Sequence, residues 1–61
     1  MSGIKRAILQ RLSTGYASTA DLARVAAITR FDVQQLLREL ARDGLVDHER
    51  ALTPLGRKAI A

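Results

Sequence analysis

The sequence predicts a mainly α fold with a small β-hairpin, and three observations predict it. Apolar residues recur at helical spacing at Ile4, Ala7, Ile8 and Leu12, then at Leu22, Ala23 and Ala26, and again at Val33, Leu36 and Leu37. Two capping signals, Ser18 with Asp21 and Thr29 with Asp32, leave room for only a short turn between the second and third helices. Beyond Gly44 the pattern turns short and mixed until Thr53 and Pro54 announce a last helix.

Ser2 caps the first helix, which is expected over about residues 3–12. Ser13 to Ala17 has turn composition, with Gly15 where a left-handed backbone is tolerated. Ser18 then opens a helix over about 19–26, its hydroxyl and the Asp21 carboxylate forming a capping box with Asp in place of Glu. Ala27, Ile28 and Thr29 form the turn, and the third helix runs over about 30–43 until Gly44 stops it. So short a link forces the two helices to cross steeply, and Ala23, Ala26 and Ala27 are the small residues expected at the crossing. Leu45 to Glu49 and Leu52–Thr53 are expected to pair as a hairpin over about 45–53, turning at Arg50 and Ala51. The closing helix, about 54–60, has Leu55, Ala59 and Ile60 for packing.

Composition narrows the function classes. A chain of 61 residues makes one domain near the lower size limit for folding without disulfides or metal, and it has no room for an enclosed cleft. It has no cysteine and a single histidine, His48, so disulfides and zinc sites of the Cys/His kind are excluded. No cofactor is expected. No enzyme is expected either: His48 has no partner base or nucleophile, and on a two-residue period it points away from Asp47 and Glu49. No apolar run reaches the roughly 18 residues that cross a bilayer, and the N-terminus lacks a signal-peptide pattern. These features suit a soluble cytoplasmic, nucleoid-associated protein without membrane contact.

Charge is distributed unevenly. Lys5, Arg6, Arg11, Arg24 and Arg30 face only Asp21 in residues 1–30, whereas acidic and basic side chains balance in 31–61. The net charge of +4 therefore lies in the first half. A pI of about 10.8 suits a nucleic-acid partner.

Two helices joined by so short a turn form a helix-turn-helix, which makes double-stranded DNA the expected partner. The candidates for base contact are Arg30, Phe31, Gln34, Gln35 and Arg38, on the outward side of the third helix. Arg30 offers a planar fork of donors that matches guanine, and Gln34 or Gln35 a donor beside an acceptor that matches adenine. The glutamines would equally solvate an exposed face. Phe31 either meets a thymine methyl or covers the end of the second helix. Candidates for the phosphate backbone are Ser18, Thr19, Arg24, Thr29, Lys5, Arg6 and, at the hairpin tip, Arg50. Ser18 and Thr29 would be useful as caps alone.

The segments TADLARVAAI, VQQLLRELARDGLV and LTPLGRKA, in that order, resemble the winged helix-turn-helix DNA-binding domain of bacterial transcription regulators, the broad group that includes MarR-like and PadR-like proteins. The resemblance covers about residues 4–60 and implies a single domain over 1–61: a three-helix core, a short two-stranded wing and a short C-terminal helix. It implies a small sequence-specific regulator, bacterial or from a phage or mobile element. The stretch between Val46 and Thr53 is shorter than the family's usual wing, and the extra helices that serve dimerisation and ligand binding in such regulators are missing. No small-molecule ligand is expected. Few base contacts per copy imply a homodimer or dimerisation on DNA, with Ile4, Leu9, Tyr16, Leu55 and Ile60 as the apolar candidates. The competing expectation is a protein–protein interaction module that uses the same fold without specific DNA readout.

Overall fold

The computed structural model describes residues 2–61. It contains four helices: α1 (Gly3–Leu12), α2 (Thr19–Ala26), α3 (Arg30–Arg42) and α4 (Pro54–Ile60). Each begins at a hydroxyl side chain that accepts a backbone N–H three residues on: Ser2 from Lys5, Ser18 from Asp21, Thr29 from Asp32 and Thr53 from Gly56. At α2 the Ser18 N–H also donates to Asp21, which completes the capping box. No helix among the described residues is long and apolar enough to cross a membrane.

The joint between α2 and α3 is set by two backbone hydrogen bonds. The Ile28 N–H donates to the Ala23 carbonyl at 3.0 Å and the Ala27 N–H to the Arg24 carbonyl at 3.3 Å. This pairing requires the first of the two donor residues along the chain to be left-handed, and Ala27 is so, with φ 57° and ψ 43°. Ile28 is thereby turned back onto the core, and Thr29 starts the next helix at once. Ala23 and Ala26 pack against the core as expected of a close crossing, but Ala27 does not: it is exposed, because the left-handed backbone turns its methyl outward. The end of α3 repeats the motif with Gly44, φ 77°, in the left-handed place.

α2 packs against both α1 and α3, and α1 also packs against α4. Ile8, Leu9, Leu22, Val33 and Leu40 are fully buried at the centre, with Leu12, Ala17, Leu37, Val46 and Leu52 around them. Leu9 is thus a core residue and not the surface residue expected for dimerisation. Lying between α2 and α4, α1 buries a stripe wide enough to take both Ile8 and its neighbour.

The expected β-hairpin is absent. Residues 45–53 form no strand among the described residues, only one antiparallel bridge between Val46 and Leu52, so the fold is helical throughout. The flanking groups are already committed elsewhere. The Thr53 N–H pairs with the Leu45 carbonyl, but the Leu45 N–H closes the end of α3 on the Leu40 carbonyl and the Thr53 carbonyl accepts from Arg57 in α4, so the pairing cannot lengthen at that end. At the other end the Asp47 carboxylate accepts the N–H groups of Glu49 and Ala51 at 2.8 and 3.0 Å, and Arg50 is left-handed at φ 66°. These bonds bend 47–50 into a tight turn in place of a strand. A two-residue alternation therefore does not apply there, and His48 sits beside Glu49, 3.7 Å away, with both side chains largely exposed.

Gly56 positions α4. A Cβ built at this residue would overlap the Leu45 carbonyl oxygen and meet Leu52, so the helix backbone docks directly on the turn. Helix propensity favours Gly56→Ala, yet this close approach predicts a loss of about 1–3 kcal/mol. Ala27→Gly, by contrast, should gain about 0.5–1 kcal/mol by relieving the left-handed backbone. Urea unfolding of both variants checks the pair, and a neutral or stabilising Gly56→Ala would contradict this packing.

Candidate nucleic-acid interface

The buried stripe of α3 is Val33, Leu37 and Leu40, with Leu36 half-buried beside it. At 100° per residue the opposite side is a line through Phe31, Gln35, Arg38 and Arg42. Arg30, Phe31, Gln34, Gln35 and Arg38 are all exposed, and Phe31 is 65% exposed. Arg42 extends the line by one more turn. Its spacing of i+4 from Arg38 was the signal that could have identified it.

The remaining helix positions divide between two flanks. Gln34 and Arg38 border a groove floored by Leu37, Ala41 and Val46, whose far wall is the turn at Asp47, His48 and Arg50. Gln35 lies toward the other flank, near Asp32, Leu36 and Ile4. Arg38 also reaches back along the helix, where its Nη2 donates to Gln35 Oε1 at 3.4 Å.

The candidates for phosphate contact separate into two groups. Ser18, Thr19 and Arg50 come together at the start of α2, where Arg50 Nη2 donates to Thr19 Oγ1 at 2.8 Å. Arg24 is 81% exposed on the same helix, 4.0 Å from Asp21, and Thr29 caps α3. Lys5 and Arg6 are engaged elsewhere. Lys5 forms an ion pair with Glu39 at 3.0 Å, and Arg6 donates to the Ala59 and Ile60 carbonyls at 3.4 and 3.2 Å, where a cation suits the end of α4.

A family model described as wHTH-PRTase associated matches residues 6–61, from within α1 to the end of the chain. The chain belongs to this family. The wHTH-PRTase associated match makes it a winged helix-turn-helix type domain and does not place it in the MarR-like or PadR-like group. Neither a curated protein nor a solved structure matches it.

Two carboxylates stabilise this wHTH-PRTase associated domain through their charge. The backbone N–H of Ser18, followed by its hydroxyl and the nearby Arg24 and Arg11, holds the Asp21 pKa below its ordinary value. Hydrogen bonding and charge from Lys5, with Arg42 further off, do the same for Glu39. A carboxylate whose pKa is depressed by folding adds stability that is complete above its unfolded pKa and is lost as pH falls through its folded one. Stability should therefore decline on acidification through and below the usual carboxylate range, and Asp21→Asn or Glu39→Gln should flatten that decline. Urea midpoints measured across the acid range check this, and an unchanged pH dependence in both variants would contradict it.

Proposed function

We propose that the chain binds double-stranded DNA sequence-specifically as a small transcription regulator, inserting α3 in the major groove. One observation carries this reading: an outward strip of α3, rich in Arg and Gln, is left uncovered by the other three helices and begins beside a tight left-handed joint. A helix presented in this way can enter the groove with its first turns against the base edges. Arg30, Gln34, Gln35 and Arg38 supply hydrogen-bonding groups for those edges, and Phe31 an apolar surface for a thymine methyl.

Thr29 and the cluster of Ser18, Thr19 and Arg50 flank α3 and would meet phosphates, with Arg24 beside them. Lys5 and Arg6 would contribute mainly to the surrounding positive field, since Lys5 is paired with Glu39 and Arg6 with the carbonyls at the end of α4. The turn at 47–50 is too short to enter the minor groove deeply, and phosphate contact suits it better. Two copies on adjacent half-sites would supply affinity, with the exposed Ile4, Tyr16 and Leu55 and the half-buried Ile60 available for contact between them. The family's description joins the winged helix to a PRTase, which supports a regulatory role connected with such an enzyme.

The same description, with Phe31 so exposed, favours a second reading in which the domain docks on a partner protein. Salt separates the two. Binding through about four phosphates should weaken roughly a hundredfold between about 50 and 200 mM salt, whereas an apolar protein interface should respond little. Selection from a random DNA pool should enrich a defined sequence, and Arg30→Ala and Gln34→Ala should each relax it at particular positions. Absence of enrichment at low salt would leave the protein-docking reading in its place.

A further inference from the structure

Arg50 also lines a second depression, one that includes no residue of α3. Its volume is about 370 Å3, and it is lined by Thr14, Gly15 and Tyr16 of the turn after α1, by Glu49 and Arg50, and by Arg57 of α4. Arg11 braces the first of these turns, where its Nη1 donates to Thr14 Oγ1 at 3.0 Å and to the Gly15 carbonyl at 3.4 Å. Tyr16 follows, 72% exposed and two residues ahead of the Ser18–Thr19 pair. Arg57 stands in no ion pair among the described residues. The carboxylate in the lining, Glu49, has His48 3.7 Å away, and Asp21 of α2 is turned to the Ser18 N–H. With Arg11, Arg50 and Arg57 together, cations outnumber acids along this edge.

Resting on the DNA reading above, we propose that the phosphate contacts continue past the start of α2 onto this edge, where the Tyr16 hydroxyl and the Arg57 guanidinium each bind a phosphate flanking the bases that α3 reads. In that reading Ser18, Thr19 and Arg50 stand against the backbone, and Arg50 is shared with the depression, so the strand that leaves them meets Tyr16 and Arg57 next. Phosphate oxygens suit both groups, since a phenol and a guanidinium each donate to them. Away from α3, these contacts add affinity and fix the angle of the domain without reading a base. A two-fold contact through Tyr16 would instead set the arginines of two copies against each other, so this ring suits DNA better than a second copy. Arg57 makes its contact at the far end of a long side chain, and the backbone of α4 stays where it is.

The test measures binding of the wild type, Tyr16→Phe, Arg57→Ala and Lys58→Ala to a selected duplex and to an unrelated one between about 50 and 200 mM salt. Lys58 follows Arg57 in sequence but does not line the depression, so its variant removes the same charge without the contact. All three side chains are exposed, and the variants should keep the wild-type circular dichroism spectrum. Arg57→Ala should weaken binding to both duplexes and lower the slope of log affinity against log salt by about one, and Lys58→Ala should lower it much less. Tyr16→Phe should weaken both by roughly tenfold and keep the slope, since a neutral donor releases no counterion. Neither Tyr16→Phe nor Arg57→Ala should change the sequence enriched from random DNA. An unchanged slope in Arg57→Ala, an equal loss in Lys58→Ala, or wild-type binding by Tyr16→Phe would overturn the inference and leave the DNA reading standing. So would a relaxed base preference in Tyr16→Phe or Arg57→Ala. No enrichment by the wild type itself would overturn both.

Discussion

The left-handed backbone at Ala27 is the constraint on which the rest of the structure depends. It lets the last turn of α2 satisfy its own carbonyls, returns Ile28 to the core and frees Thr29 to cap a new helix immediately. Any longer connection would let α3 slide or rotate against α2. Because the joint is short, burial of Val33, Leu37 and Leu40 fixes the rotation of α3, and the same rotation decides that Phe31, Gln35 and Arg38 point outward. Core packing and surface chemistry are thus two consequences of a single joint. An alanine bears this conformation at some energetic cost, since glycine is the residue that adopts it freely.

The other half of the domain holds that arrangement in place. Gly56 brings α4 onto the Leu45 carbonyl, Arg6 ties the end of α4 to α1, and Lys5 ties α1 to α3 through Glu39. Arg50 joins the turn to the start of α2. In so small a chain few side chains can be buried, and these polar ties add orientation where the core is limited. They also explain why charges near the N-terminus that look free in the sequence are partly spoken for in the fold.

The helices were legible because their signals are local. A hydroxyl followed three residues later by an acidic residue marked the starts of α2 and α3, Thr53–Pro54 marked α4, and Gly44 marked the end of α3 to within a residue. The outward set on α3 followed from helical period alone. The region 45–53 was not legible, because its conformation is decided by competition for backbone groups: α3 and α4 take the N–H of Leu45 and the carbonyl of Thr53, and Asp47 takes the N–H groups a strand would have used. Leu9 and Gly56 were missed for a related reason, since the width of the face α1 buries and the approach of α4 to the turn depend on tertiary neighbours. The bond from Arg38 to Gln35 joins two exposed side chains whose spacing was visible but whose shared geometry was not.

The placement of α3 against DNA is tested most directly by following backbone amide resonances of the labelled protein during titration with a duplex that holds a single half-site, so that no second copy sits beside the first. The largest shifts should fall within Thr29–Arg38 and at Ser18, Thr19 and Arg50, while α1 and α4 change little. Shifts concentrated on α1 and α4, with the first turns of α3 unmoved, would contradict the proposed orientation.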